Sequence, residues 1–179
     1  MTNLQPGAIE QAIDYCRHQS NKGIESLVAL MQRTAVDWQR NLAGMSDSQA
    51  NFAPPGEWSA RDVVNHFLEV TTGVNGQIRR FTASGAMPAT TDEAELSAQG
   101  QAPRAETAAE MSDRIALLFD DIVALTRTLE GNENLGKTFP HPVFGQLNIL
   151  EWTAFQRLHG MDHMQQIDKN KADAAYPAA

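Results

Sequence analysis

Apolar residues recur along the chain at intervals of three and four, a spacing that predicts helices nearly throughout. Ile24, Leu27, Val28, Leu30, Met31 and Trp38 mark a first segment from about Ala8 to Gly44, which Gly23 divides into a short leading helix and a longer one. Residues 46–58 read as a loop, because Pro54-Pro55-Gly56 cannot continue a helix. Ser59 is placed as an N-cap with Asp62 three residues on. From there Val63, Phe67, Val70, Val74, Ile78 and Phe81 form one narrow stripe. Residues 82–105, rich in Ala, Ser, Thr, Gly and Gln, predict a mobile surface loop that can hold a helical turn. A third long helix spans about Glu106 to Glu130, with Gly131 as its C′ residue. Residues 131–147 read as another loop. Asn148, with Glu151 three residues later, caps a fourth helix that runs to about Asn170. Residues 171–179 are expected to fray. Strand-like alternation bounded by hairpin turns is not evident. The expected fold is all-α: a four-helix bundle with a short extra N-terminal helix and long helix–helix loops, in one domain over 1–179.

Composition narrows the function classes. The 179 residues are 42% hydrophobic and 20% charged, as in an ordinary globular domain. Fourteen Lys and Arg against 22 Asp and Glu give a formal charge of −8. Such a balance disfavours nucleic acid and anionic membrane surfaces, both of which call for a basic face. No apolar run reaches the roughly 18–20 residues that span a bilayer. The first residues, MTNLQPGAIEQ, have neither the basic nor the apolar region of a signal peptide. With the lone cysteine, Cys16, this leads to an expected cytoplasmic location.

One motif is set aside. Gly131 to Thr138, GNENLGKT, fits the phosphate-binding pattern G-x-x-x-x-G-K-[ST]. A true site of that kind follows a buried strand and opens a helix whose N-terminus helps hold the phosphate. Here a helical pattern precedes the motif, and Phe139-Pro140-His141-Pro142 follows it, where two prolines deny the helix.

The five histidines carry the chemistry. His18 lies in a polar stretch, and His141, between two prolines, is expected to fix loop shape. His159 and His163 are spaced i, i+4, so their imidazoles share a helix face with Trp152, Phe155 and Gln166. His66 sits about 60° from the centre of its helix's apolar stripe, toward the bundle's margin or interior. Three neutral imidazoles from two helices suit one divalent ion, zinc or nickel, with positions left open for water or substrate. Glu69 and Asp162 are candidates to orient the imidazole N–H groups. On spacing alone, histidines hydrogen-bonded to Asp162, Glu69 or Gln166 in a polar core are the more ordinary reading. The segment His159-Gly-Met-Asp-His163 lacks the glutamate of H-E-x-x-H, and Glu-x-x-His pairs of di-iron bundles are missing too.

Gly56-Glu57-Trp58-Ser59, His141-Pro142-Val143-Phe144-Gly145-Gln146-Leu147, Glu151-Trp152 and His159-x-x-x-His163-x-x-Gln166-Ile167 follow one another with separations that resemble the DinB-like (YfiT-like) superfamily of bacterial four-helix metalloproteins. The likeness covers about residues 24–170. It implies that His66, His159 and His163 are the metal triad. It further implies a small-molecule transferase or isomerase that uses a low-molecular-weight thiol as cosubstrate, with a metal-dependent hydrolase or a non-enzymatic metal- or ligand-binding stress protein as alternatives. A homodimer is expected from the same resemblance. Cys16, far in sequence from the triad, is read as a structural thiol, so any reacting thiol would come from a separate molecule.

Overall fold

The structure, a computed structural model, describes residues 7–86 and 93–178. Its elements run α1 (Ala8–Ser20), α2 (Ile24–Leu42), α3 (Asp47–Ala50), α4 (Ala60–Ser84), α5 (Glu93–Gly100), α6 (Ala108–Arg127), β1 (Thr138–His141), β2 (Gly145–Asn148) and α7 (Ile149–Lys171). The four long helices α2, α4, α6 and α7 form the bundle. Among the described residues no helix is long and apolar enough to cross a membrane.

Polar contacts between helices reveal how the bundle is wired. Asp37 and Asn41 of α2 meet Arg157 and Asp168 of α7 in the same order, so these two helices run parallel. Asn65 and Asn75 of α4 meet Ala105 and Asp121 in the same order, so α4 and α6 also run parallel. Between α4 and α7 the order reverses: Asn75 pairs with Gln156, whereas Asn170 reaches back to Trp58, just ahead of α4. Each of α2 and α4 packs on both α6 and α7, which places α2 opposite α4 and α6 opposite α7.

This arrangement explains the connections. A chain that enters α6 parallel to α4 must first return along the bundle's whole length. The segment expected to be a mobile loop makes that return as α5, packed along α4; residues 87–92 of it lie outside the described residues. Two glycines permit the close approach. A Cβ on Gly73 would stand 2.3 Å from the carbonyl oxygen of Leu96, and one on Gly100 would stand 2.0 Å from that of Glu69. Both obstacles are backbone and cannot turn aside. Gly76, three residues further along α4, would meet only the flexible end of Arg80 at 3.7 Å. Gly76→Ala is therefore expected to stabilise the protein by up to about 1 kcal/mol through helix propensity. Gly73→Ala makes the same local gain yet is expected to lose about 1–3 kcal/mol by displacing α5. Urea unfolding of the pair measures the difference.

The connection between α6 and α7 also differs from the expected plain loop. Thr138–His141 and Gly145–Asn148 form a small antiparallel hairpin, with Phe139 opposite Leu147 and His141 opposite Gly145. Helix α6 stops at Arg127 with Thr128 as its cap, and Gly131, expected at C′, takes a left-handed φ of 69° in the turn beyond. The stretch set aside as a phosphate loop thus leads into a strand. The tail expected to fray is held: Gln49 donates to the carbonyl of Pro177 at 3.0 Å, and Tyr176 packs edge-on against Phe52.

Candidate metal centre

Two capping boxes start the helices that carry the histidines. The Ser59 hydroxyl accepts the N–H of Asp62, whose carboxylate accepts the N–H of Ser59 in return. Asn148 and Glu151 repeat the exchange at α7, at 2.9 and 2.8 Å. Two further contacts fix the register of α4 against α7. On one side of the histidines, Gln156 Nε2 donates to Asn75 Oδ1 at 3.1 Å, and Asn75 Nδ2 in turn donates to Asp121. On the other side, Asn170 Nδ2 donates to the carbonyl of Trp58 at 2.7 Å, beside a Lys169–Glu57 ion pair. Both amide side chains of α7 are buried, so loss of either contact leaves an expensive orphan.

Between these ties, one nitrogen from each of His66, His159 and His163 lies within 4.8 Å of the others. The Nε2 atoms of His159 and His163 are 2.9 Å apart. Gln166 Oε1 lies 3.3 Å from His163 Nδ1. With Nδ1–H donating to that oxygen, His163 keeps its lone pair on Nε2, the atom turned toward the cluster. His159 and His163 are 5% and 7% exposed, and His66 is half-buried. Phe67 packs against both buried imidazoles, at 5.3 and 6.0 Å between centroids, and Phe155 stacks on His159 at an interplanar angle of 13°. The inner side of the cluster is thus walled by hydrocarbon. On the His66 side stands Trp58, edge-on to that imidazole at 4.9 Å.

The other residues singled out from the sequence are told apart by their partners. Phe155 and Gln166 touch the cluster as described. Trp152 lies nearer the start of α7 and serves the hairpin: it stacks on Phe139 at 5.0 Å, and its indole N–H points to the Phe139 carbonyl. The Glu69 carboxylate is engaged by Ser97 Oγ at 2.8 Å and Arg104 at 2.7 Å, which ties it to the α5 crossing. Asp162 is exposed on α7. His18 is exposed on α1. His141 is buried, and its Nδ1 accepts the backbone N–H groups of Val143 and Phe144, so it shapes the hairpin turn. Cys16 is fully buried; desolvation, with a smaller contribution from Glu151, pushes its thiol up to about 12.

Sequence reasoning placed Phe67 in an apolar stripe and quoted Trp58 only as part of a motif, without assigning either to the site. For Trp58 the available signal was its place directly ahead of the N-cap of the His66 helix. For Phe67 it was adjacency to His66 itself.

Comparison with known proteins agrees with this architecture. The chain is 19% identical over 157 residues to the uncharacterized protein YuaE of Bacillus subtilis (strain 168), a match spanning 80% of this chain and 96% of YuaE. Among solved structures it is similar to YfiT from Bacillus subtilis, with a TM-score of 0.65 and 16% identity, covering 84% of this chain and 86% of that one. YfiT is described as a probable metal-dependent hydrolase with an unusual four-helix bundle topology. The parallel pairing of α4 with α6 makes this chain's bundle unlike a simple up-and-down one as well. A family model for the DinB superfamily matches residues 30–167, a span that takes in α4, α6, most of α2 and α7 and all three clustered histidines, and the chain belongs to that superfamily.

Proposed function

We propose that this protein is a divalent-metal-dependent enzyme acting on a small molecule, with His66, His159 and His163 as the metal ligands. The observation that carries the reading is the convergence of three imidazole nitrogens, from two helices whose register is fixed on both sides of them. The fit is chemical as well as spatial. Three neutral nitrogen donors suit zinc or nickel, with metal–nitrogen bonds of about 2 Å for zinc. With Gln166 Oε1 accepting from Nδ1–H, His163 presents Nε2 for ligation. A hydrogen-bonded polar core would satisfy two imidazoles, but it does not call for a third from the opposite helix.

When bound, such an ion supplies Lewis acidity and lowers the pKa of a coordinated water or thiol. The protein's own groups then hold the imidazoles, exclude water on the Phe67 and Phe155 side, and leave access on the side of Trp58. Cys16 is no candidate for the reacting thiol, since burial keeps it protonated. We favour transfer or isomerisation with a low-molecular-weight thiol as cosubstrate. Hydrolysis is the second reading, favoured by the description of YfiT.

Zinc- and nickel-loaded protein should be assayed with a panel of small thiols and electrophiles, and in parallel with esters and amides. Thioether formation or thiol-dependent isomerisation above the His66→Ala background supports the first reading. Thiol-independent cleavage supports the second. Absence of both would contradict an enzymatic role.

A further inference from the structure

We propose that Trp58 forms the outer wall of the metal site and selects ligands that carry a flat, apolar group next to the atom that meets the metal. The proposal rests on the metal reading above and deepens it. Three observations support it. The first is access: His159 and His163 are buried behind Phe67 and Phe155, and His66 is the half-buried member of the cluster, so a ligand arrives past His66. Trp58 stands at that point, in contact with the His66 ring.

The second observation is exposure. Trp58 is 46% exposed, whereas Trp38 and Trp152 are buried. An indole that packs on one imidazole and leaves nearly half its surface to solvent retains a large hydrophobic face for a further partner. The third is rigidity. Gly56, at a φ of 81°, turns the backbone after the two prolines, and the Glu57 N–H donates to Pro54. Asn170 holds the Trp58 carbonyl, Lys169 holds Glu57, and the Ser59 cap locks the next residue. A ligand docking against this ring need not order the loop, which lowers the entropic cost of binding.

Two hydroxamates test the idea, because they share a metal-binding group and differ in its neighbour: benzohydroxamate offers a phenyl ring, acetohydroxamate a methyl. Their affinities for the zinc-loaded protein are measured by calorimetry after metal content has been determined. The wild type is expected to prefer benzohydroxamate. Trp58→Ala should weaken benzohydroxamate roughly 3- to 10-fold, the range of aromatic pair energies, and acetohydroxamate less than about twofold, with zinc content unchanged. Trp58→Phe should retain most of the preference. Equal losses for both probes in Trp58→Ala, or none, would overturn the proposal and leave the metal reading standing. Less than one bound zinc in the wild type would overturn the metal reading first, and this proposal with it.

Discussion

Replacing His163 with alanine is expected to abolish stoichiometric zinc binding. The variant keeps His66 and His159, but two imidazoles on separate helices form a far weaker site than three. Substituting a residue that merely orients a ligand already costs about 10- to 100-fold in metal affinity, so loss of the ligand must cost more. The effect has a thermal signature. A ligand present at a thousand times its dissociation constant stabilises the native state by about 4 kcal/mol. Wild-type protein should therefore melt several degrees higher with zinc than after chelation, and His163→Ala should show no such difference. Two controls separate ligation from general damage. His18→Ala alters an exposed residue and should bind zinc normally. His141→Ala removes the acceptor for two backbone N–H groups in the hairpin, so it should lower stability while zinc still binds.

The largest expected loss of stability is at Phe67. Its ring is fully buried at the point where α2, α4, α6 and α7 meet, with centroids 4.9 Å from Trp38, 6.1 Å from Phe119 and 5.3 Å from His159. Truncation to alanine removes apolar surface from the core and leaves a cavity that neighbouring rings and backbone cannot close. A cost of about 3–5 kcal/mol is expected, a large part of the roughly 5–15 kcal/mol that holds a domain together. Because the same ring backs both buried imidazoles, zinc affinity should fall as well. Phe67→Leu keeps much of the volume and should lose about 1–2 kcal/mol. Denaturant unfolding of the zinc-free forms, followed by zinc titration, measures the two effects separately. A loss below about 1 kcal/mol for the alanine variant would contradict the packing described.

What could be read from the sequence was local. Ser59 and Asn148 revealed their helices because a capping box is a four-residue interaction. His159 and His163 revealed a shared face because helical spacing alone dictates it, and the angular offset of His66 anticipated its half-buried place. Features that depend on distant partners were hidden. Helix α5 forms where α4 and α6 run parallel and the chain must come back between them. Composition around Ser97 and Gly100 carries no trace of that requirement. The hairpin escaped notice because its strands are four residues long and one holds Pro140, while its turn is shaped by a histidine side chain. The contacts that Ser97 and Arg104, 35 positions away, make to the Glu69 carboxylate were equally invisible in the sequence. Helix α7 packs on α1, α2, α4 and β2, so it is buried on several sides and its stripe blurs.

Anomalous diffraction from zinc-soaked crystals, with data on both sides of the zinc absorption edge, tests the central claim most directly. The account predicts one strong peak per chain, about 2 Å from a ring nitrogen of each of His66, His159 and His163. A zinc-free cluster with its 2.9 Å imidazole contact intact, or a peak held by other residues, would contradict it.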